Sequence, residues 1–376
     1  MNLQPRAAAG LVSTRQRRKT VPQLARVEQF TREMIDAWNR IRESSASYAS
    51  PYFDFEFTRA VARIRDDVSI GVLTGKSGEI VGFLPFQSPR SGHGQPAGGW
   101  LNDVHGIMKY DNADVNFRDV LEQCGLTSYA FHALAGETND LSGYVFDTPE
   151  AHYIDMSDGW EAYRRWVRKH SSTVKRQGQK TRGLERDIGE IRFEFDCLNA
   201  DALEELIELK RAKYTRSKTF DILSVDWACN LLREIHRIRK PGFQGLLSCM
   251  WAGDKLVAAH FGMLADRILH YWFPSFDNRF SRYSPGTELI LRVCEEASRR
   301  GVTMVDFGYG DDPYKFKFCN ASTPLSRGLV TESRAAFVVA SQRYRLRTSL
   351  KKIPLKSSVK TILRGIYPGF GGWKFR

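Results

Sequence analysis

The chain has 376 residues, 42% of them apolar, which is enough for two domains that each bury a core. Its six cysteines (Cys124, Cys197, Cys229, Cys249, Cys294, Cys319) stand singly, with no C-x-x-C pair and no histidines at ligand spacing. This argues against a zinc site or a disulfide framework and suits a reducing cytoplasm. The net charge of +13 sits at the ends: residues 1–26 carry six basic residues and no acid, and residues 331–376 carry eleven against one. The body between them is slightly acidic, so no broad basic surface for specific DNA binding is expected.

Residues 1–26, rich in Arg, Gln, Ala and Thr without apolar periodicity, read as a disordered basic arm with no secretory h-region. An N-terminal half over 27–155, a C-terminal domain over 156–330 and a basic tail over 331–376 follow. No run approaches the ~18 apolar residues of a membrane span, so a soluble, cytoplasmic protein is expected. Phe30, Met34, Trp38 and Ile41 recur at helical spacing. The run V-S-I-G-V-L-T-G-K-S-G-E-I-V-G-F-L-P-F-Q reads as a β-hairpin around Gly75 to Gly78. Gly92 to Gly99 reads as a loop, and the W-L-N-D-V-H-G that follows offers Asp103 and His105 as acceptor contacts or as an ordinary polar loop.

Tyr153 to Asp155 reads as a short strand, Gly159 to Asp187 as a strongly basic helical segment, and Asp201 to Tyr214 as a helix capped by Asp201. On that helix Leu203, Leu206, Ile207 and the stem of Lys210 share one side. A second hairpin turns at Gly253-Asp254-Lys255 and runs on into the strand Ile268 to Phe273. Two hairpins, each with a helix upstream, fit two related α/β halves, or no more than the likeness that any two β-hairpins share.

The stretch that follows carries the chemistry. Ser284 suits an N-cap, Pro285 the first helical position, and Leu289, Val293 and Ala297 recur every fourth residue up to Gly301. The opening Tyr283-Ser284-Pro285-Gly286-Thr287 has no bulk in its first turn, so backbone N–H groups at the positive end of the helix dipole can meet a pyrophosphate. A buried strand, V-T-M-V-D-F, then ends in G-Y-G-D-D-P-Y-K. Gly308-Tyr309-Gly310 lacks a third glycine, and Asp312-Pro313 would break the required helix, so a dinucleotide fingerprint is rejected.

The order hairpin, aromatic strand, S-P-G-opened helix, strand ending D-F-G, then G-D-x-x-Y-K, resembles the GNAT acyltransferase domain of CelD/BcsL-like proteins of cellulose and exopolysaccharide biosynthesis. The match spans about residues 155–320. More distantly the chain is similar to Fem-type aminoacyltransferases, whose duplicated GNAT fold would explain the two halves. The resemblance implies an α/β (α+β) GNAT fold with mixed, largely antiparallel sheets flanked by helices. It implies pantetheine running between splayed strands 269–276 and 302–307, with the CoA pyrophosphate at the start of helix 285–300. An acyl group, acetyl in the first instance, would pass from an acyl-CoA co-substrate to an amine or hydroxyl, a saccharide being the family's acceptor, with no metal. The R/Q-x-x-G-x-G/A phosphate loop is replaced here by Arg282 to Thr287, which leaves aminoacyl donors open. An aminoacyl-tRNA transferase and a non-catalytic partner of a membrane polysaccharide synthase are the competing readings.

Such chemistry needs a base for the acceptor and an acid for the leaving thiolate. His260 is a candidate base or a core histidine; Asp311 is a base or orienter, Tyr314 an acid, and Lys315 a phosphate or carboxylate partner, against a plain G-D-D-P turn. Tyr271, in H-Y-W-F, would touch the acceptor or pack in the core. From Ser341 to Arg364, Leu346, Leu350, Ile353, Leu355, Val359, Ile362 and Leu363 alternate with Arg and Lys; interrupted at Pro354 into two short pieces, the pattern fits a helix on an anionic membrane surface, or a solvated charged face or an arm packed on the body.

Overall fold

A computed structural model of the chain describes residues 23–136, 139–310 and 312–352. The arm over 1–22, the candidate Asp311 and the tail beyond 352, Pro354 included, lie outside the described residues.

The first lobe contains β1 (Gln23–Ala25), α1 (Arg32–Glu43), α2 (Phe55–Ile64), β2 (Val68–Thr74), β3 (Ile80–Arg90), β4 (His93–Pro96), β5 (Met108–Lys109), α3 (Phe117–Gln123), β6 (Ser128–Leu134) and β7 (Val145–Asp147). Thr31 starts α1 by accepting the Met34 N–H, and the expected apolar stripe turns inward: Trp38 and Ile41 are fully buried. The hairpin forms as expected, with Val68 opposite Gln87 and Thr74 opposite Ile80. Two readings differ. Gln23–Ala25, placed in the arm, pairs antiparallel with β2, because the Arg26 guanidinium anchors the segment on the carbonyls of Asp66 and Val68. The Gly92 to Gly99 loop contains β4, which β3 and β6 flank on both sides.

The second lobe contains β8 (Glu150–Asp155), α4 (Trp160–His170), α5 (Ser172–Lys175), α6 (Gln177–Ile188), β9 (Ile191–Glu194), α7 (Ala200–Ser217), α8 (Asp226–Arg237), β10 (Arg239–Lys240), β11 (Phe243–Ala252), β12 (Lys255–Ala265), β13 (Ile268–Phe276), α9 (Pro285–Arg299), β14 (Met304–Tyr309) and β15 (Ala321–Pro324). After it come β16 (Ser326–Thr331) and α10 (Arg334–Lys352). The basic segment 159–187 is three helices, broken at Ser171 and Arg176. Asn199 caps α7 in place of Asp201, whose own N–H it accepts. No described helix is long and apolar enough to cross a membrane.

The strands form two sheets, β1-β2-β3-β4-β6-β16-β7 with β5 on β3, and β10-β11-β12-β13-β14-β8-β15 with β9 on β11. The halves expected at 27–155 and 156–330 exchange strands at their borders: β8 lies inside the second sheet, and β16 returns to the first between β6 and β7. One apolar core runs from Trp38 and Phe83 of the first lobe to Phe261 and Phe273 of the second, so the lobes share their interior.

The second sheet opens at one place. β13 and β14 run parallel and pair at Ile268–Met304, Leu269–Val305 and His270–Asp306. Beyond that, β13 continues against β12 as far as Phe276, while β14 leaves with β8, Tyr309 opposite Ala151. The result is a wedge between residues 271–276 and 307–309, with α7 packed on β12 and β13.

Candidate active site

His270, at the last paired position, is fully buried where the wedge begins. Its Nδ1 lies 3.0 Å from Asp306 Oδ2, and its Nε2 lies 2.9 Å from the Tyr52 hydroxyl and 3.4 Å from Asp103 Oδ2. Asp306 comes from β14, whereas Tyr52 sits in the Pro51–Phe53 turn and Asp103 in the loop before β5, both in the first lobe. The cluster is therefore built across the lobes. Burial disfavours the charged imidazole, but Asp306 and Asp103 outweigh it and lift its pKa from 6.5 to about 9. Burial likewise opposes the Asp306 carboxylate, which His270, the Gly308 N–H at 2.8 Å and the Lys315 charge keep below its ordinary value.

Gly308 has φ +67°, and a Cβ there would lie 2.4 Å from Asp103 Oδ2. Only glycine admits both the turn and the carboxylate. Lys315 is buried, and its Nζ donates to the carbonyls of Gly308 at 3.0 Å and Tyr309 at 2.8 Å. It staples the turn after β14 instead of reaching for a ligand phosphate or carboxylate. Tyr314 is half-buried with its ring 6.0 Å from Phe307, and burial raises its phenol pKa.

Lys210, read in the sequence only as part of an apolar face, carries its ammonium into the wedge wall. Its Nζ donates to the Pro274 carbonyl at 3.0 Å and lies 5.6 Å from the ring centres of both Tyr214 and Phe273. Burial, helped by the Lys213 charge and opposed by Asp312, lowers its pKa to about 7.

Other expected residues are placed differently. His260 is fully buried, stacked on Tyr271 at 3.9 Å and 5°, and burial followed by the His270 charge holds it neutral. Tyr271 in turn packs on Phe307 at 5.0 Å. An enclosed ring pair has no route to an acceptor proton, so His260 as base and Tyr271 as acceptor contact give way to core packing. His105 Nε2 accepts the N–H groups of His132 at 3.3 Å and Ala133 at 3.1 Å, tying the Asp103 loop to β6. Of that pair only Asp103 enters the cluster.

The start of α9 is not bare. Ser284 adopts φ +52° and makes no side-chain cap; its Oγ accepts from Lys180 Nζ of α6 at 2.7 Å, and its carbonyl accepts the Thr287 N–H. Tyr283 is buried, with its hydroxyl donating to Asp187 and its carbonyl accepting from Gln177. Pro285 is buried, and a Cβ at Gly286 would lie 3.3 Å from Phe276, so the strand end closes on the helix. An anion here would meet the Lys180 ammonium and the helix dipole together, with the Glu288 carboxylate held back by Thr181 and Arg292.

Residues 168–316 match the family model described as an acetyltransferase (GNAT) domain, a span from α4 to just past Lys315. Among solved structures the chain is similar to FemX, at 11% identity over 85% of this chain and 100% of that one, with a TM-score of 0.53. It is also similar to the C-terminal domain of a putative lysylphosphatidylglycerol synthetase from Agrobacterium fabrum (12% identity, 85% and 96% covered, TM-score 0.48). A tandem GNAT protein from the clavulanic acid biosynthesis pathway is a third (9%, 83% and 98%, 0.46). No curated protein matches the chain in sequence. The architecture is thus a two-lobed GNAT fold of mixed sheets with flanking helices, and the second lobe holds an acetyltransferase-type domain.

Proposed function

We propose that the chain transfers an acyl group from a CoA thioester to an amine at the wedge between β13 and β14. The observation that carries this reading is a pair of buried cations displaced in opposite directions: Lys210 falls to about 7, while His270 rises to about 9. Two titratable groups pushed apart by their surroundings are the signature of an assigned base and a fixed charge. Near neutral pH a good fraction of Lys210 is the free amine and can take the acceptor's proton, whereas the imidazolium of His270 stays charged and holds Asp103. Asp103, at 21% side-chain exposure, is the carboxylate available to dock the acceptor as its ammonium ion. Once deprotonated, the amine attacks the thioester carbonyl carbon, the C–S bond breaks, the Tyr314 phenol protonates the departing thiolate, and the resulting phenolate takes back a proton from the nitrogen of the new amide. Lys180 at the start of α9 supports a diphosphate on the donor.

The exposed basic side chains of α4 to α6, among them Arg164, Arg165, Arg168, Lys175 and Arg182, favour a second reading in which the donor is an aminoacyl-tRNA ester. A saccharide acceptor rests on the resemblance to CelD/BcsL-like proteins alone. Thiol release from acetyl-CoA, followed over a panel of amino sugars and other primary amines, tests the first reading. Under it, saturating CoA raises the melting temperature and acetyl-CoA turns over; a salt-sensitive tRNA shift with no CoA response replaces it with the second.

A further inference from the structure

The last described helix has a face that the fold does not use. α10 lies on the first lobe through Phe337, Ser341, Tyr344 and Thr348, one stripe at helical spacing. Phe337 lies 6.3 Å from the rings of Tyr144 and Phe146, and Tyr344 lies 5.1 Å from Phe146. The Tyr344 hydroxyl donates to Asp147 and accepts from Arg327 at 2.9 Å, and the Arg327 guanidinium lies 5.2 Å from the Tyr309 ring. The inner stripe therefore fixes how the helix is rotated on the body.

Rotation by 100° per residue then puts Ala335, Val339, Gln342 and Leu346 along the opposite side. Val339 and Leu346 are 46% and 50% exposed, and Val338 beside them is 46% exposed. Three of the seven large apolar side chains that stand exposed among the described residues are thus on this one helix. Arg334 and Arg345 flank the ridge on one side and Arg343 on the other, and residues 334–352 carry six basic residues and no acid.

We propose that α10 is a docking helix that lies along an anionic lipid surface, with its Val339–Leu346 ridge at the acyl boundary and its flanking arginines among the headgroup phosphates. An apolar ridge bordered on both sides by cations is complementary to a surface that is negative outside and apolar beneath. A nucleic acid would attract the arginines but gives the valine and leucine nothing to bury against. This inference is independent of the acyl-transfer reading.

The test is co-sedimentation of the full chain with vesicles of phosphatidylcholine containing phosphatidylglycerol, against phosphatidylcholine alone and a random-sequence RNA. The anionic vesicles should bring the protein down, less so as salt rises. Val339→Asp with Leu346→Asp should abolish this at an unchanged melting temperature, because those side chains face away from the body. Arg343→Gln and Arg345→Gln should each weaken partitioning roughly five-fold, and they decide the matter if the Asp pair proves unstable. Wild-type binding in both sets of variants, equal binding to neutral vesicles, or binding to RNA but not to vesicles would each overturn the proposal.

Discussion

Lys210 places an amine between two aromatic rings and gives it a backbone carbonyl as partner. A proton there is costly, which is what makes the neutral form accessible near pH 7. Turnover should rise with pH through a single ionisation near 7, and Lys210→Met should lower kcat by about a hundred-fold or more. Lys210→Arg separates roles: it restores a cation and a donor to Pro274 but cannot deprotonate, so activity close to wild type in that variant would make Lys210 structural. Stability carries the same signature with its own sign. The folded pKa of Lys210, about 7, lies below the unfolded value, so the native state binds fewer protons above pH 7, and this residue's charging penalty is greatest below it. His270 runs the other way: its folded pKa of about 9 lies above 6.5, so its contribution is complete below 6.5 and lost as pH rises through 9. In urea melts, Lys210→Met should therefore gain most on wild type below pH 7, and the gain should shrink toward pH 10. A pH-independent difference would mean that the lysine is not titrating in the fold.

At the scale of elements, the site depends on β14 ending in a turn that leaves room for a first-lobe carboxylate. Gly308→Ala introduces a left-handed alanine and a Cβ where Asp103 sits, so it should cost about 1–3 kcal/mol of stability. It should also lower the pKa of His270 by pushing one of its two carboxylates away, which a histidine titration followed by NMR would report. Lys180→Ala at the start of α9 should raise KM for the thioester roughly ten-fold with little change in kcat, since a charge-assisted contact to the donor is removed. The elements themselves were legible because they are local: the 68–87 hairpin and the 285–300 helix are written in turn chemistry and in a four-residue repeat. The cluster was not. Tyr52 meets His270 across 218 positions of sequence, and neither has a local pattern that distinguishes a hydrogen-bonded partner from one more core aromatic. Lys210 is hidden in the sequence by its own stem, which fits the apolar stripe of α7 and leaves its ammonium without a local signal. Conversely, His260 carried a good chemical motive, but its burial under Tyr271 could be seen only in three dimensions.

For the molecule as a whole, the strand exchange joins the lobes more firmly than their sequence order suggests. β16 pairs with β6 from Ser326–Leu134 to Thr331–Ser128 and with β7 on its other side, so the first sheet is completed by the last of the described strands. Without it β6 becomes an unpaired edge, β7 loses its only neighbour in the sheet order, and the buried Val330 leaves the cluster it shares with Tyr129 and Phe131. A chain ending at residue 325 should therefore not keep an intact second lobe beside a merely trimmed first one. Because one core runs through both lobes and the His270 cluster draws Tyr52 and Asp103 from the first, the loss should spread to the site. The expected outcome is a single cooperative transition in the intact chain and, in the shortened one, a lower melting temperature together with loss of the CoA-induced shift. A shortened chain that still bound CoA with wild-type affinity would show that the second lobe stands alone, and that the first-lobe residues around His270 serve the acceptor or nothing at all.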